Sequence, residues 1–134
     1  MLNEHQITFR VRYPETDAMG VVHHSRYFQY FEMGRIELLR ADGLSYAEME
    51  MAGILFVVAK VECKYKAPAR YDEELTLTTK VARRTHVRID HEYVLKRGPT
   101  LIAEGATTIA CVDRQGQLQQ IPETMARDNG NAGQ

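Results

Sequence analysis

The sequence has no tryptophan, four prolines and two cysteines. Two thiols, Cys63 and Cys111, make neither a disulfide framework nor a metal-type cysteine pairing. No apolar run exceeds the six residues from Ile54 to Ala59, whereas a membrane-spanning helix needs about 20. The start, Met1-Leu2-Asn3-Glu4-His5, lacks the basic-then-apolar order of a secretory signal. Neither charge sign is in excess: 17 Lys and Arg meet 18 Asp and Glu, a net charge of −1, which argues against a dedicated nucleic-acid binder. What is present is a chain of 134 residues, 44% hydrophobic and 26% charged, the balance of a globular domain. That length suits one domain with a real core and is short for two. The expectation is a soluble, cytoplasmic, single-domain protein over residues 1–126 with no transmembrane segment, followed by a disordered tail, residues 127–134 (RDNGNAGQ), which has nothing to bury.

The charge is unevenly spread. Residues 60–97 hold ten Lys or Arg against six acids, a local +4 that leaves the remainder at −5. A mildly basic half could meet a small polyanion such as a nucleotide, or it could be an ordinary solvated sheet face.

Periodicity supplies the elements. Gln6 to Tyr13 alternates strictly, with Ile7, Phe9, Val11 and Tyr13 on one side, and Pro14 stops it. From about Ser25 to Ala41 the pattern turns helical. Tyr27, Phe28, Tyr30, Phe31, Met33, Ile36, Leu38 and Leu39 cover most of the circumference, as in a helix buried on several sides. Gly34 inside it costs about 1 kcal/mol relative to Ala, and close approach of another backbone would justify it. Asp42-Gly43 ends the helix, and Ser45 to Glu48 has the spacing of a capping box that opens a short second helix. Strands follow over Ile54 to Lys66, Glu74 to Ala82, Val87 to Lys96 and Leu101 to Val112. The last is apolar on both sides, as a central strand is. A run of turn-linked strands after a helix implies α+β, an antiparallel sheet of about five strands wrapped round one long helix.

The segment Tyr13 to Tyr27 (YPETDAMGVVHHSRY) carries the unusual chemistry. Asp17 lies in the loop between the first strand and the start of the long helix, where peptide N–H groups have no intrahelical partner. A carboxylate near such donors can activate water while an N–H polarises a carbonyl. The alternative for Asp17 is an Asx-turn residue that shapes the loop, and spacing alone does not choose.

This segment resembles the signature of the hotdog-fold acyl-CoA thioesterases of the 4-hydroxybenzoyl-CoA thioesterase family, in their YbgC-like branch. Tyr13, Glu15, Thr16, Asp17, Gly20, Val22, His24 and Tyr27 stand in register with that pattern. The similarity continues through Phe31-Glu32, Arg35, Tyr65, Pro68, Ala69, Tyr71, Asp72 and Ile121-Pro122. The resemblance implies a hotdog fold and hydrolysis of an acyl-CoA to the free acid and CoA, with no cofactor. It makes Asp17 the catalytic carboxylate, as general base or as nucleophile through an anhydride. It places His24 where the family uses a main-chain N–H to polarise the thioester carbonyl. Gly20, Val22, Tyr27 and Glu32 become substrate-binding residues, with Tyr27 and Glu32 at the acyl end. His23 stands where the family usually has an aromatic. The resemblance also implies edge-to-edge dimers, assembling into a homotetramer, with sites between subunits and no nucleic-acid partner.

Other residues have plainer readings. His23 and His24 make a poor metal pair, since adjacent side chains point to different sides and no third ligand is suitably spaced. His91 falls on an apolar strand face as a satisfied core histidine, and Cys63 and Cys111 read as buried thiols. Lys64, Arg70, Arg83, Arg84 and Arg97 are candidate partners for coenzyme phosphates. A hotdog dehydratase would want Pro-Gly after its histidine, and Ser25-Arg26 follow His24. A non-catalytic acyl-CoA-binding or sensing domain is the alternative from a different class, and it needs no carboxylate at the thioester.

Overall fold

A computed structural model describes residues 2–126; the tail expected to be disordered, residues 127–134, lies outside the described residues. Strand β1 (Glu4–Arg10) leads through a 3-10 turn at Tyr13–Glu15 to helix α1 (Arg26–Ala41) and short helix α2 (Tyr46–Met51). Strands β2 (Leu55–Tyr65), β3 (Glu74–Arg84), β4 (Arg88–Arg97) and β5 (Thr100–Val112) follow, then a four-residue helix α3 (Glu123–Ala126). The strands make one sheet in the order β1-β3-β4-β5-β2, antiparallel at every pairing. The turn-linked β3–β4–β5 meander fills its middle. Its two edges are the strand before α1 and the strand after α2.

Helix α1 lies across the inner face, packed chiefly on β1 and β3. Its buried residues, Tyr27, Tyr30, Phe31, Gly34 and Leu38, follow the three- and four-residue spacing of a single stripe. The wider apolar circumference is only partly covered. Phe28, Met33, Ile36 and Leu39 remain half-exposed, because one sheet encloses one side of a helix. Gly34 serves close approach, though to side chains and not to a backbone: a Cβ there would collide with Thr79 and with Leu77 of β3. The Ser45 hydroxyl accepts from the Glu48 N–H and caps α2, as the capping-box spacing requires.

The core has two parts. One gathers Tyr27, Tyr30, Phe31, Leu75, Leu77, Leu95 and Ile102 near the start of α1. The other gathers Met49, Ile89, Cys111, Ile121 and Met125 at its far end. Between them the inner sheet face carries buried polar side chains, Thr79, His91 and Thr107, beside the Tyr93 hydroxyl.

Two strands depart from their sequence pattern. Strand β1 ends at Arg10, and Tyr13 is 73% exposed, because the turn through Pro14 rotates its side chain out of the alternation. In β2 the pairing slips at Ala59, a bulge between Val58 and Lys60, and Val57, Val58, Val61 and Tyr65 are all exposed. Among the described residues no neighbouring strand covers that edge. Beyond β5, Leu118 makes one isolated bridge to Val112. No helix among the described residues is long and apolar enough to cross a membrane.

Candidate active site

The connection from β1 to α1 is built in two parts. Its entry is tied down by Glu15, which is 6% exposed. Oε1 of Glu15 accepts from the Arg12 N–H at 2.8 Å and from the Tyr30 hydroxyl at 2.9 Å, and Oε2 accepts from Arg12 Nε at 3.3 Å. Its carbonyl accepts from the His23 N–H at 2.9 Å. One buried carboxylate therefore joins the end of β1 to the first turns of α1.

The tip is a small hairpin. Thr16 pairs with Val22 and Val21 pairs with Arg70 as isolated bridges, and the Asp17 N–H donates to the Val21 carbonyl at 2.8 Å. Gly20 closes the turn at φ +82°, a conformation that side-chain-bearing residues rarely adopt. Asp17 is half-buried at this tip. Its Oδ1 accepts from the Met19 N–H at 2.8 Å and from the Val21 N–H at 3.4 Å. This is the Asx-turn arrangement, yet it uses one oxygen. Oδ2 has no hydrogen-bond partner among the described residues.

The hairpin delivers the chain to the start of α1, where the N–H groups are disposed of unequally. Ser25 N–H donates to His23 Nδ1 at 3.2 Å and Arg26 N–H to the His23 carbonyl at 2.9 Å. The His24 N–H has no acceptor among the described residues. The His24 carbonyl is held by the Tyr65 hydroxyl at 2.8 Å, so the end of β2 fixes the peptide from the other side. Tyr65 meets Tyr27 edge-on at 5.0 Å, and Tyr27 is buried against Tyr30. No hydrogen bond joins Asp17 to His24. One short loop thus presents a carboxylate oxygen and a helix-start N–H, both without partners.

The sequence pattern of the Thioesterase-like superfamily matches residues 11–128. The chain belongs to that superfamily. Among curated relatives, the acyl-CoA thioester hydrolase YbgC of Escherichia coli is 34% identical over 105 residues, 78% of each chain. The acyl-CoA thioesterase YbgC of Haemophilus influenzae is 35% identical over 107 residues, covering 78% of this chain and 77% of that one. The solved structure of the DHNA-CoA thioesterase from Staphylococcus aureus superposes with a TM-score of 0.85 at 28% identity, covering 87% of this chain and 80% of that one. The sheet-and-helix architecture is the hotdog fold of these thioesterases.

The remaining candidates of this superfamily member fall into two places. Gly20 and Val22 belong to the hairpin, Gly20 at its exposed turn and Val22 buried, with its N–H on the Ala69 carbonyl at 2.8 Å. Tyr27 lies behind the helix start. Burial, with Cys63 and Tyr65 adding to it, pushes its phenol up to about 12, so it stays neutral near pH 7. Glu32 is elsewhere, 63% exposed on the flank of α1 and lining a separate cavity toward α2. Of the five cationic candidates, Arg70 borders the Asp17 hairpin through its bridge to Val21. Arg97 is taken up by Glu73 and the Pro68 carbonyl.

Some residues differ from their sequence reading or were not singled out. The His23 and His24 rings do not diverge: they lie 4.1 Å apart and tilted by 30°, because the chain turns there and strand alternation no longer applies. His23 Nδ1 is engaged by Ser25. Among the described residues no group of three or more His, Cys, Asp or Glu could hold a metal ion. His91 is buried as expected, but its Nδ1 has no partner among the described residues. Burial raises both thiols, Cys63 and Cys111, above the ordinary value, though only Cys111 is fully buried and Cys63, expected to be buried, is half-buried. The anchoring roles of Glu15 and Tyr65 had no local signal, since their partners lie 15 and 41 residues away.

Proposed function

We propose that this protein hydrolyses acyl-CoA thioesters, with Asp17 as the acid–base group and the His24 main-chain N–H as the carbonyl donor. The observation that carries this reading is that one short loop presents a carboxylate oxygen and a helix-start N–H, each without a partner among the described residues. Oδ2 of Asp17 takes a proton from water as the water attacks the thioester carbonyl. The His24 N–H then holds the oxyanion that develops, in the place where helix-start dipoles favour negative charge. Collapse of the tetrahedral intermediate expels CoA thiolate, which takes up the proton, and leaves the free acid. The imidazole of His24 has no part in this scheme. The Escherichia coli and Haemophilus influenzae relatives are an acyl-CoA thioester hydrolase and an acyl-CoA thioesterase, which supports the reaction class.

The working unit in this reading is a dimer joined through β2. That strand is eleven residues long and leaves one edge unpaired, with Val57, Val58, Val61 and Tyr65 exposed along it. An uncovered edge of that length and apolarity is a template for another strand, and a two-fold pairing gives two sites per dimer. Sedimentation of the wild type is expected to show at least a dimer, and a fully active monomer would contradict it.

The reaction is tested by thiol release from a panel of acyl-CoA thioesters, with the protein's own two cysteines subtracted as background. Hydrolysis of at least one member is expected. Binding without hydrolysis of any member would favour the acyl-CoA-binding or sensing alternative.

A further inference from the structure

A cavity of about 310 Å³ lies between α1, α2 and the sheet, away from the Asp17 hairpin. Its wall includes Ile36, Phe56 and Ile109, but also Glu32, Arg35 and His91. The Arg35 side chain is 12% exposed. Its Nη1 donates to the Tyr93 hydroxyl at 3.1 Å, which meets Thr107 Oγ1 at 2.6 Å. Its Nη2 stands 4.0 Å from Glu32 Oε2, too far for a sound hydrogen bond. A guanidinium has five N–H donors, so the hydrogen bond to Tyr93 leaves others free for a further acceptor. His91, 4% exposed, reaches the same cavity with Nδ1 unpartnered among the described residues. Arg35 of α1, with donors to spare, and His91 of β4, with Nδ1 buried and unpartnered among the described residues, therefore border a mainly apolar cavity.

We infer that Arg35 and His91 are the specificity-determining groups of an acyl pocket, where they hold an oxygen at the far end of the acyl group, and that each pocket serves the other protomer's Asp17. This rests on the acyl-CoA reading above. A hydroxyl or a carboxylate oxygen supplies a further acceptor for Arg35, and His91 Nδ1 can donate to it or accept from it according to its tautomer. The assignment to the other protomer follows from strand pairing. Arg35 is nine residues beyond the first residue of α1, about 14 Å along the helix axis between Cα atoms, so the cavity lies toward the far end of the helix from the His24 N–H. Strand β2 touches both places: Phe56 and Val58 near its beginning line the cavity, and Tyr65 at its end holds the His24 carbonyl. Antiparallel pairing of two β2 strands sets the beginning of one beside the end of the other. The cavity of one protomer then opens next to the helix start of its partner.

The test compares hexanoyl-CoA with its terminal-hydroxyl and terminal-carboxyl analogues. Wild type is expected to show a kcat/KM about 10- to 100-fold higher for at least one oxygenated analogue, the scale of a charged hydrogen bond in a closed pocket. The two analogues tell hydroxyl from carboxylate. Arg35→Met and, separately, His91→Leu are expected to collapse that ratio. Co-expressed Asp17→Asn and Arg35→Met chains are expected to regain it, because the mixed dimer pairs an intact Asp17 with an intact pocket on the other chain. Equal kcat/KM for all three esters in wild type overturns the inference while leaving the thioesterase reading intact. A ratio unchanged in Arg35→Met overturns the role of Arg35, and a mixed dimer with no recovered preference overturns the cross-protomer assignment. If none of these esters and no member of the acyl-CoA panel is hydrolysed, the thioesterase reading fails instead. Calorimetric binding of the three esters to wild type then decides the pocket, with equal affinities, or no binding, counting against it.

Discussion

Glu15 and Asp17 are two carboxylates two residues apart in one loop, and their surroundings divide the labour between them. Glu15 is buried, and each of its oxygens accepts at least one hydrogen bond. Such a group specifies structure, because removing it strands the donors that point at it. Asp17 is half-buried and keeps Oδ2 free, with only Oδ1 spent on its own turn. Such a group contributes little to the core and remains open to solvent. The entry to the loop is a fastening, and in the proposed reading the tip is the chemical tool it holds. Residue type does not distinguish the two; the Tyr30 hydroxyl and the Arg12 N–H do.

Substitutions at the two ends should separate accordingly. The largest effect is expected at the tip, where Asp17→Asn lowers kcat about 10²- to 10⁴-fold, the scale of a lost acid–base group, read as the initial rate of thiol release. Glu15→Ala is expected to cost about 2–4 kcal/mol of folding stability by leaving the Tyr30 hydroxyl buried without an acceptor, read by urea denaturation.

Acid sharpens the contrast between closed and open groups. Burial, with Arg35 and Arg84 adding to it, pushes His91 down from 6.5 to about 3. Between those values the unfolded chain binds a proton that the folded chain refuses. Stability therefore falls as pH drops through that window, by up to about 1.4 kcal/mol per pH unit. Denaturation of His91→Gln across the same window should show a shallower slope.

Smaller still, Tyr65→Phe frees the His24 carbonyl and is expected to lower kcat/KM about fivefold, the worth of one neutral hydrogen bond. His24→Ala should change it by less than about threefold, since the main-chain donor survives. A loss at His24→Ala as large as that at Asp17→Asn would give the imidazole a direct part.

Much of this arrangement is legible in the amino-acid order. The α1 stripe, the capped start of α2, the β3–β4–β5 meander and the central place of β5 all follow from spacing and turn residues, because they depend on neighbours close in sequence. Asp17 and His24 could be singled out because eight positions of a loop motif fall in register around them. What the order conceals depends on distant partners. The alternation of Val57, Val61 and Tyr65 reads as a buried face, but β2 is a sheet edge and leaves these side chains exposed. Tyr13 continues the β1 alternation on paper and turns outward because the 3-10 turn resets the backbone. The clasp of Glu15 on Tyr30 spans 15 residues and that of Tyr65 on His24 spans 41, and no local pattern encodes either. His91 was legible as buried but not as unsatisfied, since the emptiness beside it is a property of the packed helix and sheet.

The most direct test of this division is the initial rate of acyl-CoA hydrolysis per folded molecule, measured for Asp17→Asn and Glu15→Ala together, with the folded fraction taken from denaturation curves. The account predicts that this correction returns Glu15→Ala close to the wild-type rate and leaves Asp17→Asn near the baseline. Near-normal turnover in folded Asp17→Asn would contradict it.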